Sequence, residues 1–155
     1  MRLTFTGTQD VAAPREYVWE RLLDPEAIGA AGPGVENVEV VDDRHYRVVT
    51  AFGVGFIKLR FRVQVELVEL DPPAMLRLSA RGHAPGSDFE ARVRVGLSTS
   101  GPERTRLSWE AVPVFGGMVA RVGARLLEGV ARSLTEEFWR DFARDIERDH
   151  RSNGG

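Results

Sequence analysis

The sequence predicts an α+β domain: a seven-stranded, curved antiparallel sheet wrapped around one long C-terminal helix, with two short helices after the first strand. Three observations carry this. Phe115, Val119, Val122, Leu126, Val130, Leu134, Phe138 and Phe142 recur every three or four residues, an apolar stripe that predicts a helix over Val114 to Arg148. Between Val35 and Val112 the apolar residues instead alternate with period two, the mark of strands with one buried face. Near the N-terminus, two proline-led segments read as short helices.

Taken in order, Leu3 to Val11 alternates Leu3, Phe5 and Gly7 with threonines and reads as a strand. Pro14 is placed at a first helical position, with Val18, Trp19, Leu22 and Leu23 as the apolar face behind it. Asp24-Pro25-Glu26 caps a second helix through Ile28, which the glycines from Gly29 to Gly34 then end. Val35–Val41 and His45–Phe52 pair about an Asp42-Asp43 turn, with Tyr46, Val48, Thr50 and Phe52 sharing a face. The clearest strand follows: Ile57, Leu59, Phe61, Val63, Val65 and Leu67 alternate with Lys58, Arg60, Arg62, Gln64 and Glu66, ending at Asp71-Pro72-Pro73. Met75–Arg81, Phe89–Leu97 and Thr105–Val112 complete seven strands, so residues 1–150 form one domain and 151–155 a disordered tail.

Composition removes several function classes. The net charge is −2, with 21 basic and 23 acidic residues interspersed, so no field exists to attract nucleic acid. The absence of cysteine excludes disulfides, thiolate nucleophiles and zinc-thiolate sites. His45, His83 and His150 are spread over a strand start, a turn and the tail, away from metal-ligand spacing; no metal or cofactor is expected. No inward pair of carboxylates can be named for acid-base catalysis, and the glycine-rich turns lead into no helix N-terminus that would cradle phosphate. The start of the chain carries no apolar signal core, and no run approaches the roughly 18 apolar residues of a membrane span. A cytoplasmic location, peripheral to the inner membrane face, is the expectation.

The order strand, two short helices, six meandering strands and long helix resembles the helix-grip fold of START domains, Bet v 1-like allergens and polyketide cyclases. Ala13-Pro14 with Val18-Trp19 and Leu22, Asp24-Pro25-Glu26, and Pro33-Gly34-Val35-Glu36 resemble the opening of the CoxG family, named for carbon monoxide dehydrogenase. Asp71-Pro72-Pro73, Gly82 with Gly86, Gly116-Gly117, Ala120, Gly123, Arg125-Leu126-Leu127, Gly129-Val130-Ala131 and Phe138 continue that pattern across almost the whole chain. The resemblance implies a non-enzymatic accessory to a molybdenum-containing hydroxylase, serving maturation, membrane association or electron delivery to quinone. Many relatives continue past the helix to a membrane anchor, whereas this chain stops at Gly155, so permanent attachment is not expected.

A curved sheet with one helix across its mouth leaves a space for side chains or for an apolar ligand. The expected liners are Trp19, Ile28, Thr50, Phe52, Phe56, Leu59, Phe61, Leu78, Phe89, Val93, Thr105 and Trp109 from the sheet side. Phe115, Met118, Val119, Val122 and Leu126 are expected from the helix. Thr50 and Thr105 are the polar members, placed to hydrogen-bond a ligand oxygen. Gly123 and Gly129 suggest a close backbone approach inside the helix. Val54, Phe56, Val114, Phe115 and Met118 near the mouth are candidates for transient contact with a bilayer or a partner enzyme. On the outer face, Arg60, Arg62, Arg77, Arg81, Arg92, Arg94 and Arg106 are interleaved with Glu66, Asp88, Glu90 and Glu110, a pattern of cross-strand charge pairs. Three functions fit: carriage of a quinone- or lipid-like molecule, recruitment or maturation of the hydroxylase without a ligand, and cyclase-like catalysis.

Overall fold

The computed structural model describes residues 1–54 and 57–154. Its elements are β1 (Phe5–Val11), α1 (Arg15–Leu22), α2 (Pro25–Ala31), β2 (Val35–Asp42), β3 (His45–Val54), β4 (Ile57–Asp71), β5 (Met75–Ala84), β6 (Ser87–Gly101), β7 (Arg104–Gly117) and α3 (Ala124–Gly154), with a 3-10 turn at Met118–Val122 before α3. The described residues form one seven-stranded antiparallel sheet in the order β1-β7-β6-β5-β4-β3-β2. The register runs straight through its centre, Val48 opposite Val63, Leu78 opposite Val93, and Val93 opposite Ala111, so these side chains share one face. That face is the one α3 crosses.

Local chemistry sets the ends of the helices. The Asp24 carboxylate accepts a hydrogen bond from the Glu26 amide at 3.0 Å, and Pro25 opens α2, which continues through Gly29 and Ala30 to Ala31, beyond the expected stop at Ile28. Pro14 immediately precedes α1 rather than opening it.

The long helix starts ten residues later than its apolar stripe suggests. Val112, Pro113, Val114 and Phe115 extend β7, paired with β6 through Phe89 opposite Phe115 and Ser87 opposite Gly117. β-Branched residues favour extended backbone, and continuous pairing of Val112 to Gly117 with β6 outweighs the coincidental helical spacing. The turn that follows is bracketed by Gly117 at φ 74° and Gly123 at φ 102°, a region side-chain-bearing residues avoid, so α3 cannot begin before Ala124. At its other end α3 continues through Arg151 and Ser152, where composition had suggested a disordered tail.

Two apolar clusters anchor the helix. One joins Val11, Val18, Trp19, Leu22, Leu107 and Trp109 to Trp139, Phe142 and Ile146 near the C-terminal part of α3. The other joins Leu59, Phe61, Val63, Phe115 and Val119 to Leu127 near its start. Phe61 and Phe142 are almost wholly buried, and truncating either would cost about 3–5 kcal/mol. α3 packs mainly on β1 and α2 and touches β3 more lightly.

Candidate functional site

The inward residues at the centre of the sheet, Leu78, Ala91, Val93 and Ala111, are only half-buried although α3 covers them. They face a cavity of about 430 Å³ between the two clusters. Its floor is β5 to β7, with Leu76, Leu78, Ala91, Val93 and Ala111. Tyr46, Val48, Thr50 and Phe52 of β3 form one wall, with Val63, Val65 and Leu67 of β4 beside them. α2 and β2 supply Ile28, Gly29, Val35 and Val38, and α3 lowers Ala131, Leu134, Thr135, Phe138 and Trp139 onto the space. None of the described lining residues carries a charge.

Close packing shapes this volume. A Cβ on Gly82 would lie 2.1 Å from the Phe89 ring opposite it, so glycine lets that ring lie flat over β5. A Cβ on Gly29 would meet Val38 at 2.7 Å, and that contact seats α2 against β2. Phe89 in turn meets Phe61 edge-on at 5.1 Å, and Phe61 stacks on Phe52 at 5.2 Å, which closes the end nearer the start of α3. Trp139 stacks on Trp109 at 5.7 Å at the opposite end.

Three hydroxyl-bearing side chains are among the described lining residues. Thr50 donates to the Pro33 carbonyl at 3.3 Å and Tyr46 to the Leu23 carbonyl at 3.4 Å, both long for an O–H donor. Thr135 donates within its own helix to Ala131 at 2.7 Å. Burial raises the Tyr46 phenol above its ordinary pKa, and the nearby carboxylates of Asp43, Asp24 and Asp42 push it further the same way, so it stays protonated at neutral pH.

Of the expected liners, Ile28, Thr50, Phe52, Leu78, Phe89, Val93 and Phe115 lie on the cavity. Trp19, Leu59, Phe61, Trp109 and Val119 do not: they are packed into the two clusters behind its walls. Thr105 is wholly buried, and its hydroxyl donates to the Ala13 carbonyl at 2.7 Å, tying β7 to the start of α1. Met118 and Leu126 are exposed and Val122 packs beside the second cluster, because α3 begins later than expected and the stripe is turned away there. Gly123 and Gly129 approach nothing: a Cβ on either meets open space. Of the expected contact residues, Val114 and Met118 are exposed, whereas Phe115 is buried at 8% in the core. Phe56 lies outside the described residues, and of Val54 only the backbone is described. Tyr46 and Val48 were missed as liners although their alternation with Thr50 and Phe52 implied them.

Outside the cavity, several acidic and basic groups pair with one another. Arg60 holds Glu36 at 2.7 Å, Arg77 holds Glu69 at 3.2 Å and Arg81 holds Glu90 at 3.3 Å. Such exposed pairs contribute about 0–1 kcal/mol each. Two of the histidines are paired with acids: His45 bridges Asp42 at 2.7 Å and Glu66 at 3.1 Å, and His150 reaches Glu103 at 3.0 Å. A polar depression of about 360 Å³ beside Arg81, His83, Asp88 and Glu90 offers an ion-paired surface rather than a binding interior.

The profile of one protein family, the CoxG family of carbon monoxide dehydrogenase, matches residues 7–147. The chain belongs to the CoxG family. Solved structures agree on the fold. A conserved protein from Geobacillus kaustophilus superposes with a TM-score of 0.87 at 25% identity, covering 94% of this chain and 96% of that one. The Zhui aromatase/cyclase from Streptomyces sp. R1128 gives 0.74 at 21% identity over 100% and 99% of the two chains. A START superfamily protein from Mycobacterium smegmatis gives 0.69 at 14% identity over 94% and 97%. No curated protein sequence is significantly similar to the chain. This CoxG family member thus carries the helix-grip fold of the START and Bet v 1-like superfamily. Among its described residues no helix is long and apolar enough to cross a membrane.

Proposed function

We propose that the protein is a non-enzymatic carrier of an apolar, quinone- or lipid-like molecule, accessory to a carbon monoxide dehydrogenase-type molybdenum hydroxylase. The observation that carries this reading is the uncharged cavity of about 430 Å³ under α3. Its walls are apolar surface that an occupant would take out of water. Burying about 300 Å² of apolar ligand gives roughly 7 kcal/mol before the cost of association, a driving force that needs no charged contact.

Catalysis has less support, since the cavity offers three hydroxyls and no carboxylate, histidine or amine to move a proton. A recruitment role draws on the family and on the exposed Val114 and Met118, which suit transient contact with a bilayer or the enzyme. The two roles are compatible. Native mass spectrometry of gently purified protein, then titration of stripped protein with a short-chain quinone, tests carriage. Saturable quenching of Trp139, which lines the cavity, is expected, weakened by Leu134→Asp at its rim. A bare mass and no quenching by any lipophile would overturn carriage and leave recruitment.

A further inference from the structure

The cavity is asymmetric in chemistry. Its floor on β5 to β7 is hydrocarbon, whereas the hydroxyls of Tyr46 and Thr50 stand on β3, beside the carbonyls that flank α2. Each donates across a long bond, 3.4 and 3.3 Å, to a carbonyl flanking α2, so neither is firmly committed and each keeps free lone pairs. No cation lines the space, and Asp43, Asp24 and Asp42 lie close enough to Tyr46 to act on its phenol. An anionic headgroup would therefore enter without a counter-charge and beside acids.

Resting on the carrier reading, we propose that the cavity selects uncharged amphiphiles and fixes their direction: hydrocarbon on the β5–β7 floor, a carbonyl or hydroxyl oxygen at the β3 side held by Tyr46 or Thr50. Four residues along a strand separate the two by about 13 Å, so a ligand with one oxygen uses one of them. Ligands with a carboxylate are excluded even when their chains fit. The single net hydrogen bond each hydroxyl makes is worth about a three- to tenfold change in Kd.

The test uses stripped full-length protein at pH 8 and three probes: diphenylhexatriene as a pure hydrocarbon, 2-undecanone and undecanoate. Diphenylhexatriene fluorescence reports entry, and its displacement reports the other two. Undecanone should displace it at a concentration at least tenfold lower than undecanoate. The Tyr46→Phe/Thr50→Val variant should weaken undecanone about three- to tenfold relative to diphenylhexatriene, with an unchanged far-UV circular dichroism spectrum showing that it folds; each single variant then identifies the hydroxyl used. If diphenylhexatriene binds but undecanoate competes as well as the ketone, or the double variant binds the ketone normally, the selectivity is overturned and carriage survives. If diphenylhexatriene does not bind at all, both fall.

Discussion

Filling the cavity from its floor should strengthen the unliganded protein and weaken any occupant. Val93 sits at the centre of that floor, between Leu78 and Ala111, half-buried, with its side chain toward α3. Val93→Phe adds four carbons to a space of about 430 Å³ that the native side chains leave open. If the ring covers about 40–80 Å² of apolar surface now wetted, the gain is roughly 1–2 kcal/mol at 25 cal/mol per Å². For a domain of this size that raises the Tm by about 2–8 °C. Urea unfolding of the stripped variant measures the first effect and lipophile titration the second, where affinity should drop at least tenfold. Loss of about 1–3 kcal/mol instead, the mark of overpacking, would mean that the cavity collapses in solution and that the reasoning from its volume is wrong.

Other consequences follow from single residues. Gly129 lies inside α3 with open space where a Cβ would be, so Gly129→Ala should stabilise by about 0.5–1 kcal/mol in thermal unfolding and leave binding unchanged. Thr105→Val removes a buried hydroxyl that satisfies the Ala13 carbonyl and should cost about 1–3 kcal/mol in urea denaturation with no change in lipophile affinity. The Asp42 and Glu66 carboxylates raise the pKa of His45 above 6.5, and the Arg44 amide, then His45, lower that of Asp42 below 3.8. The His45 contribution is present below pH 6.5 and lost as pH rises through its folded pKa; that of Asp42 is present above pH 3.8 and lost as pH falls through its own. The β2–β3 hairpin is therefore held best between these limits, and NMR titration should show the His45 pKa falling in Asp42→Asn.

Most of the sheet was legible because alternation is a local signal: β4 buries Leu59, Phe61, Val63 and Leu67 as the pattern requires. The N-cap of α2 was legible for the same reason, since Asp24 and Pro25 act within one turn. The start of α3 was not, because Phe115, Val119 and Val122 fit a helical period by chance. Phe115 is held extended by pairing with Phe89 of β6, far away in sequence, and Val119 and Val122 fall in the 3-10 turn. The cavity was half-legible. Which residues share a face of β3 is written in the sequence, but which face residues line a void and which are covered depends on how α3 leans. That is set by Trp139, Phe142 and Ile146 docking on the β1 side. Thr105 shows the limit of polarity as a clue: a hydroxyl on an inward face satisfies backbone as readily as ligand.

Because α3 leans toward β1, the burden of folding and the burden of recognition fall on different halves of one sheet. Substitutions at Leu107, Trp109 or Phe142 endanger the fold, whereas Tyr46, Val48 and Thr50 are only half-buried at the cavity wall. Such a layout lets a lineage change its cargo by small steps on β3 while the other half keeps the molecule intact. Divergence among relatives of this shape is then expected to concentrate along that strand and the facing rim of α2.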